Sequence, residues 1–145
     1  MDRRRALIWY GLLLLWMGLI YRASATPDLR ALPWVQWVGL LPTNLAVGVA
    51  AILEFTLRKG AHMVSFGILA CLARGGLATG IPPVRSGRQS AVAFTVAMLY
   101  AVSDEWHQSF VPTRGARVTD VLIDAAGAVI GLLLVSLVRR RYRGA

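Results

Sequence analysis

Ionisable residues recur at helical spacing in three apolar stretches of this sequence. Lys59 and His62 are three residues apart in the first stretch, Asp104 lies in the second, and Asp120 and Asp124 are four residues apart in the third. Residues three or four apart lie on one face of a helix. Since a carboxylate inside a bilayer costs about 2.5–3.5 kcal/mol on insertion scales, it normally faces a partner in the bundle interior. We therefore expect the three polar faces to meet in one cluster.

The residue types in this cluster suit phosphate binding. Arg114 follows Asp104 in the next turn region, and Arg makes bidentate contacts to phosphate, while Lys adds a point charge. Nearby carboxylates would orient these cations, or would act as acid and base if a reaction takes place. In that second case Asp104 or Glu105 is the candidate base, and His62 is the candidate acid or metal ligand. A third alternative is a buried ion-pair network that only fixes helix register.

Metal binding is suggested by residue type but not by spacing. His62, Asp104, His107 and Asp120 or Asp124 include side chains that ligate metals. No H-E-x-x-H motif or other ligand spacing specifies such a site. We therefore predict no metal and no cofactor.

The composition indicates which elements must position these residues. The chain has 145 residues, of which 57% are hydrophobic and 16% are charged, and its mean hydropathy is +0.58. Soluble domains have about 45–50% apolar and about 25% charged residues, so this composition excludes a soluble enzyme and a disordered chain. The net charge of +9 comes mainly from arginines at the two termini and in one loop. That placement is typical of a membrane orientation signal rather than of nucleic-acid binding.

Four stretches are long and apolar enough to suggest membrane crossing as helices. The predicted fold is therefore an all-α integral membrane protein with four transmembrane helices. An apolar extracytoplasmic segment lies between helices 1 and 2, and its part from Leu45 to Phe55 is open to three interpretations: interfacial, re-entrant, or continuous with helix 2. We further predict a helix break at Gly60, an ordinary turn region from Gly75 to Gly87, and exposure of Arg74 toward the headgroups. The predicted spans are about 6–22, 56–74, 90–107 and 119–138.

Lysine and arginine counts predict the orientation. With four spans, ten of the sixteen basic residues fall on the side that carries both termini. The richer side is normally cytoplasmic, so we expect a multi-pass protein with cytoplasmic termini and its polar cluster at the outer face. A cleaved signal peptide ending near Ala23-Ser24-Ala25 is an alternative for the first 25 residues.

Three segments carry spaced motifs that together indicate a family. Leu57–Leu69 contains Lys-x-x-His, Tyr100–Arg114 contains Asp-Glu-x-x-Gln and Pro-x-Arg, and Asp120–Ala128 contains Asp-x-x-x-Asp-x-x-Gly. In order and spacing they resemble the VanZ-like family of small bacterial membrane proteins. Phe66 stands where Tyr is common in the family, and Thr113 stands where Gly is common. The resemblance implies one membrane domain over residues 1–145, with a motif core at 57–134.

The resemblance also implies a set of functional residues and a cellular role. The name-giving member is associated with teicoplanin resistance. From the resemblance together with the polar cluster, we expect a plasma-membrane protein that binds a lipid-linked cell-wall precursor or a lipoglycopeptide and contributes to teicoplanin tolerance. An enzyme acting on an envelope lipid is the alternative. Bilayer lipid is an expected partner, nucleic acid is not, and the oligomeric state is not predicted. The implied ligand-binding residues are Lys59, His62, Asp104, Glu105, Gln108, Arg114, Asp120 and Asp124, with Gly127 as a further motif position.

Overall fold

A computed structural model of the chain describes residues 3–25, 42–80, 86–112 and 114–143. Within these ranges the protein is entirely helical and contains no β-strand. Residues 26–41, which belong to the predicted segment between helices 1 and 2, lie outside the described residues. The four helices are α1 (Arg3–Ala25), α2 (Thr43–Gly80), α3 (Ser86–Gln108) and α4 (Val118–Arg143).

Helix α2 is one continuous element of 38 residues, about 57 Å long at 1.5 Å per residue. The predicted break at Gly60 is therefore wrong, because the helix passes through this residue. Of the three interpretations of Leu45–Phe55, the structure supports continuity with the second helix. The first turns of α2 are thus part of the element that carries Lys59 and His62.

The C-terminal part of α2 corrects a second prediction. Gly75 and Gly76 are helical rather than part of a turn, and the helix ends only at Gly80. A Cβ atom added at Gly75 would lie 2.6 Å from the Trp9 ring, and one added at Gly76 would lie 2.8 Å from the Tyr10 ring. The two glycines therefore let aromatic side chains of α1 pack directly against the α2 backbone.

Three of the four helices are long and apolar enough to cross a membrane, namely α1, residues Gly48–Thr79 of α2 and residues Val118–Tyr142 of α4. Helix α3 spans 23 residues, about 34 Å, but it is not among these candidates. The fourth predicted crossing, at 90–107, lies within α3.

The helices form a bundle in which α2 contacts α1, α3 and α4. Consecutive helices alternate in direction, so the end of α1, residues 54–62 of α2, the end of α3 and the start of α4 lie together, and we call this the polar end. The core consists largely of small residues of α3 packed against larger residues of α2, which allows close helix approach. Its buried apolar residues in the helices are Ile20, Phe66, Leu69, Ala70, Ala73, Ala93, Ala97, Ala101, Ala128 and Leu132.

The opposite end of the bundle contains a buried arginine. Arg74 is only 1% exposed, and its Nη1 donates a hydrogen bond to Ser136 Oγ on α4 at 3.1 Å. The prediction that Arg74 extends to the headgroups is therefore wrong. Because α2 continues for six residues beyond Arg74, this side chain lies inside the helical bundle rather than at a helix end.

Candidate functional site

A glycine contact between α2 and α4 determines which residues meet at the polar end. A Cβ added at Gly127 would overlap the carbonyl group of Met63, and one added at Gly131 would lie 2.5 Å from the carbonyl oxygen of Gly67. The two backbones therefore touch directly, as in other membrane helix pairs with small residues at their contact. The same crossing brings residues nearer the polar end into contact.

His62 and Asp124 are the pair that this crossing brings together. His62 Nδ1 lies 3.4 Å from Asp124 Oδ1. Asp124 is completely buried, whereas the His62 side chain is 16% exposed. The carboxyl group therefore lies behind the imidazole ring, which faces the accessible side of the pair.

Two further pairs involve residues of α2 at the polar end. Lys59 forms an ion pair with Asp120 at the start of α4. Arg58 Nη2 donates a hydrogen bond to Glu54 Oε1 at 2.6 Å, one turn away on the same helix. Asp120 is in the first turn of α4, where a carboxylate also interacts favourably with the helix dipole.

Asp104 organises a hydrogen-bonded network that joins α1, α3 and the following turn. Its Oδ2 accepts hydrogen bonds from Ser24 Oγ at 2.9 Å and from Gln108 Nε2 at 2.8 Å. Arg114 Nη1 donates to the Ser24 carbonyl oxygen at 3.1 Å and to Gln108 Oε1 at 3.4 Å. Asp104 is 3% exposed, so it acts on the cavity only through the residues that it positions.

Glu105 binds the end of the connection between α3 and α4. This residue is 4% exposed, and its Oε2 accepts a hydrogen bond from the backbone N–H of Arg117 at 2.9 Å. The turn between them is closed by backbone bonds from Val111 N to Gln108 O at 3.0 Å and from Arg114 N to Val111 O at 3.1 Å. The buried carboxylate thereby places two arginines of the connection beside α2.

Two neighbouring cavities open at the polar end. The larger, of about 270 Å³, has a wall of basic and polar side chains from α2, the α3–α4 connection and α4. The smaller, of about 190 Å³, lies between α1 and α2 and is lined mostly by apolar atoms. Both cavities are bordered by Arg58, His62 and Arg114, so these three residues lie where the two meet.

A common arrangement emerges from these contacts. Each of five basic residues has a carboxylate beside or behind it, either in direct contact or through one linking group. Within the larger cavity wall, four cations and His62 accompany only two carboxylates, Glu54 and Asp120. The other three carboxylates are buried behind the wall. The five pairs are Arg58 with Glu54, Lys59 with Asp120, His62 with Asp124, Arg114 with Asp104 through Gln108, and Arg117 with Glu105 through its backbone.

The eight residues predicted from the sequence all lie at the polar end, but at two depths. Residues on the larger cavity are Lys59, His62, Gln108, Arg114 and Asp120. Residues buried behind it are Asp104, Glu105 and Asp124.

Four further residues of the site were not among the eight predicted from the sequence. Arg58 and Glu54 are four residues apart, a spacing that indicates a helical ion pair, and Arg117 lies in the basic turn. Ser24 carried no such signal, because its contact with Asp104 depends on how α1 packs against α3. Sequence spacing describes a helix face but not the partner helix that covers it.

His107 was one of the candidate metal ligands, and the structure places its ring against another helix. The His107 and Tyr21 rings stack with centroids 4.2 Å apart. Within the described ranges, no group of three or more His, Cys, Asp or Glu side chains is arranged to hold a metal ion. The described part of the site is thus a set of paired charges with adjoining cavities.

Comparisons with known proteins give one match. A family model described as VanZ/LLP1 matches residues 8–139, nearly the whole chain. No curated protein matches the chain, and no solved structure matches it. The matched range includes all four helices over most of their length and every residue of the five pairs. The chain belongs to the VanZ/LLP1 family.

Proposed function

We propose that this VanZ-like membrane protein binds the phosphate-bearing headgroup of a lipid-linked envelope precursor at the outer face of the plasma membrane. By binding this precursor, the protein would reduce the access of glycopeptide drugs to their target and contribute to teicoplanin tolerance. The observation that carries the proposal is the larger cavity, whose wall contains Arg58, Lys59, Arg114 and Arg117.

The chemistry of this wall favours an anionic ligand. Arginine binds phosphate oxygens through two parallel N–H groups, and lysine adds a compact charge. Three carboxylates lie behind the wall rather than in it, so they hold the cations in place without facing a ligand. A diphosphate carries several acceptor oxygens and can therefore engage more than one of these cations together.

The proposed placement in the membrane uses four crossings. We propose that α3 is the fourth, with its polar last turn at the outer surface and the arginine-rich ends of α1 and α4 in the cytoplasm. Those ends contain Arg3–Arg5 and Arg139–Arg141, as the excess of positive charge on cytoplasmic segments requires. The segment between α1 and α2 is then extracytoplasmic, and the polar end faces the compartment where cell-wall precursors are used.

The proposal is tested by measuring teicoplanin and vancomycin susceptibility in a Gram-positive host. The host expresses the wild type, Arg114→Ala, Glu105→Gln or Arg88→Ala at matched membrane levels. Arg88 is exposed at the opposite end of α3 and serves as the control. We expect wild type and Arg88→Ala to protect selectively against teicoplanin, and the two site variants to lose protection.

A parallel binding measurement identifies the ligand. Purified wild type should bind inorganic pyrophosphate, and Arg114→Ala should bind it at least tenfold more weakly, since charged hydrogen bonds contribute about 1.5–3 kcal/mol each. Binding of teicoplanin without binding of pyrophosphate would show that the drug, not the precursor, is the ligand. If the wild type binds neither pyrophosphate nor teicoplanin, the proposal is refuted.

A second candidate function is hydrolysis or transfer on the same lipid. The observation that favours it is the His62–Asp124 pair, because a buried carboxylate beside one ring nitrogen orients the other nitrogen of a histidine acid or base. Release of inorganic phosphate from farnesyl diphosphate by wild type, lost in Asp124→Asn while pyrophosphate binding persists, would establish this activity. Unchanged substrate after prolonged incubation would leave binding as the function.

A further inference from the structure

The smaller cavity at the polar end differs in character from the larger one. It lies between α1 and α2, and apart from the three basic residues it shares, its lining includes Ile20, Ala23, Ala61 and Ser65. The small side chains leave room between two helices that are both long and apolar enough to cross a membrane. Ala23 and Ala61 are exposed, so this space opens on the outer surface of the helix pair. In the proposed placement, that surface would face lipid.

A specific contact joins α1 and α2 on the inner side of this space. Trp16 Nε1 donates a hydrogen bond to the Ser65 carbonyl oxygen at 2.9 Å. Trp16 lies one turn deeper along α1 than Ile20, so the indole links the two helices just below the cavity. The cavity is therefore a short apolar recess with a charged upper border and a lateral opening.

The volume of the recess limits what can occupy it. About 190 Å³ corresponds to about six groups of water size at ~30 Å³ each, which is about one five-carbon isoprene unit. A longer chain would continue through the lateral opening into the bilayer. Since both cavities are bordered by Arg58, His62 and Arg114, a group bound by these residues would have polar space on one side and apolar space on the other.

From this continuity we propose that the recess binds the first part of the hydrocarbon chain of a prenyl diphosphate lipid. This inference rests on the proposed function and specifies its ligand class. The diphosphate lies where the two cavities meet, the headgroup occupies the larger cavity, and the chain leaves between α1 and α2. Ala61 is then a specificity-determining residue, because its small size leaves the recess open.

The test compares two probes on purified full-length protein in detergent: inorganic pyrophosphate and farnesyl diphosphate. The variant is Ala61→Phe, which fills the recess without altering a charged residue. The control is Ala126→Phe, an equally exposed alanine on α4 that borders neither cavity. Ala61→Val is a smaller change at the same position for use if the Phe variant does not fold.

We expect wild type to bind farnesyl diphosphate at least tenfold more tightly than pyrophosphate, since each buried methylene contributes about fourfold in affinity. Ala61→Phe should lose this preference and keep its affinity for pyrophosphate, while Ala126→Phe should retain both. Equal affinity of the wild type for the two probes, or an unchanged preference in Ala61→Phe, would overturn the chain-binding recess and leave the proposed function standing. Failure of the wild type to bind either probe would refute both.

Discussion

The two ends of the helical bundle contain charged residues in contrasting arrangements. At the polar end, five basic residues are paired with five carboxylates, and Arg22 is exposed at the end of α1. At the opposite end, the described residues include nine arginines and no carboxylate. One of them, Arg74, is buried with a serine hydroxyl as a hydrogen-bond partner. Seven others are exposed near the helix termini, namely Arg3, Arg4, Arg5, Arg88, Arg139, Arg140 and Arg141. Carboxylates thus pair with the basic residues of the five pairs at the polar end, whereas most arginines at the opposite end are accessible to solvent and headgroups.

This difference has a physical reason. An ionic group in a low-dielectric environment is costly unless it has a partner, so cations within the bundle need one. At the polar end the partners are carboxylates, whereas Arg74 has a serine hydroxyl. Arginines beyond the helix core can reach water and lipid phosphates. The paired arrangement therefore indicates that the polar end keeps its charges partly buried for a purpose that exposed arginines could not serve.

The largest effect should follow from breaking the most buried pair. His62→Ala leaves the Asp124 carboxyl group without its neighbour, and we expect a loss of about 3–5 kcal/mol in the free energy of unfolding. Unfolding of purified protein in detergent measures this loss. Adding Asp124→Ala in the same chain should restore part of the stability. If His62→Ala alone is as stable as the wild type, the pairing of these two charges does not contribute to stability.

A smaller loss of stability should follow from a substitution that forces α2 and α4 apart. Gly127→Ala places a Cβ against the Met63 carbonyl, so α2 and α4 must move apart, at a cost of about 1–3 kcal/mol. Gly60→Ala is the control, because a Cβ there has no atom within 4 Å, and it should be neutral or stabilising by about 0.5–1 kcal/mol. The same unfolding measurement should rank the two variants clearly, and equal stability would argue against the close contact.

The opposite end can be tested through the partner of its buried arginine. Ser136→Ala removes the acceptor of the Arg74 hydrogen bond, and we expect a loss of about 1.5 kcal/mol in stability. Pyrophosphate binding should not change, because Ser136 borders neither cavity at the polar end. A change in affinity without a change in stability would mean that the two ends are coupled.

The smallest effect should come from the most accessible pair. The side chains of Arg58 and Glu54 are 31% and 23% exposed and lie four residues apart on one helix. Such pairs contribute about 0.3–0.5 kcal/mol, so Glu54→Gln should barely change unfolding. If it destabilises as much as His62→Ala, burial does not determine the strength of these pairs.

The sequence predicted the helical class and the polar faces, because both depend on local spacing. The carboxylates and glycines of α4 recur at spacings of three or four residues, and this is enough to place Asp124 and Gly127 on one face. The length of α2 was not predictable in the same way. Gly75 and Gly76 resemble a turn when taken alone, and only the aromatic rings of α1 explain why the helix continues through them.

The burial of Arg74 depends on another long-range contact. If Gly75 is in a turn, an arginine just before it is expected at the surface. Its hydrogen bond to Ser136 joins residues 62 positions apart, and no periodicity within either helix indicates that pairing. The links of Ser24 with Asp104 and Arg114 were unpredictable for the same reason.

The matching of acids and bases at the polar end has a consequence for the kinetics of association. With His62 protonated and the five carboxylates ionised, the five pairs have no net charge, so they should contribute little electric field beyond a Debye length of about 8 Å at physiological salt. Long-range steering from solution would then be weak. We expect a ligand to arrive mainly by lateral diffusion in the membrane, and its association rate to vary little with ionic strength.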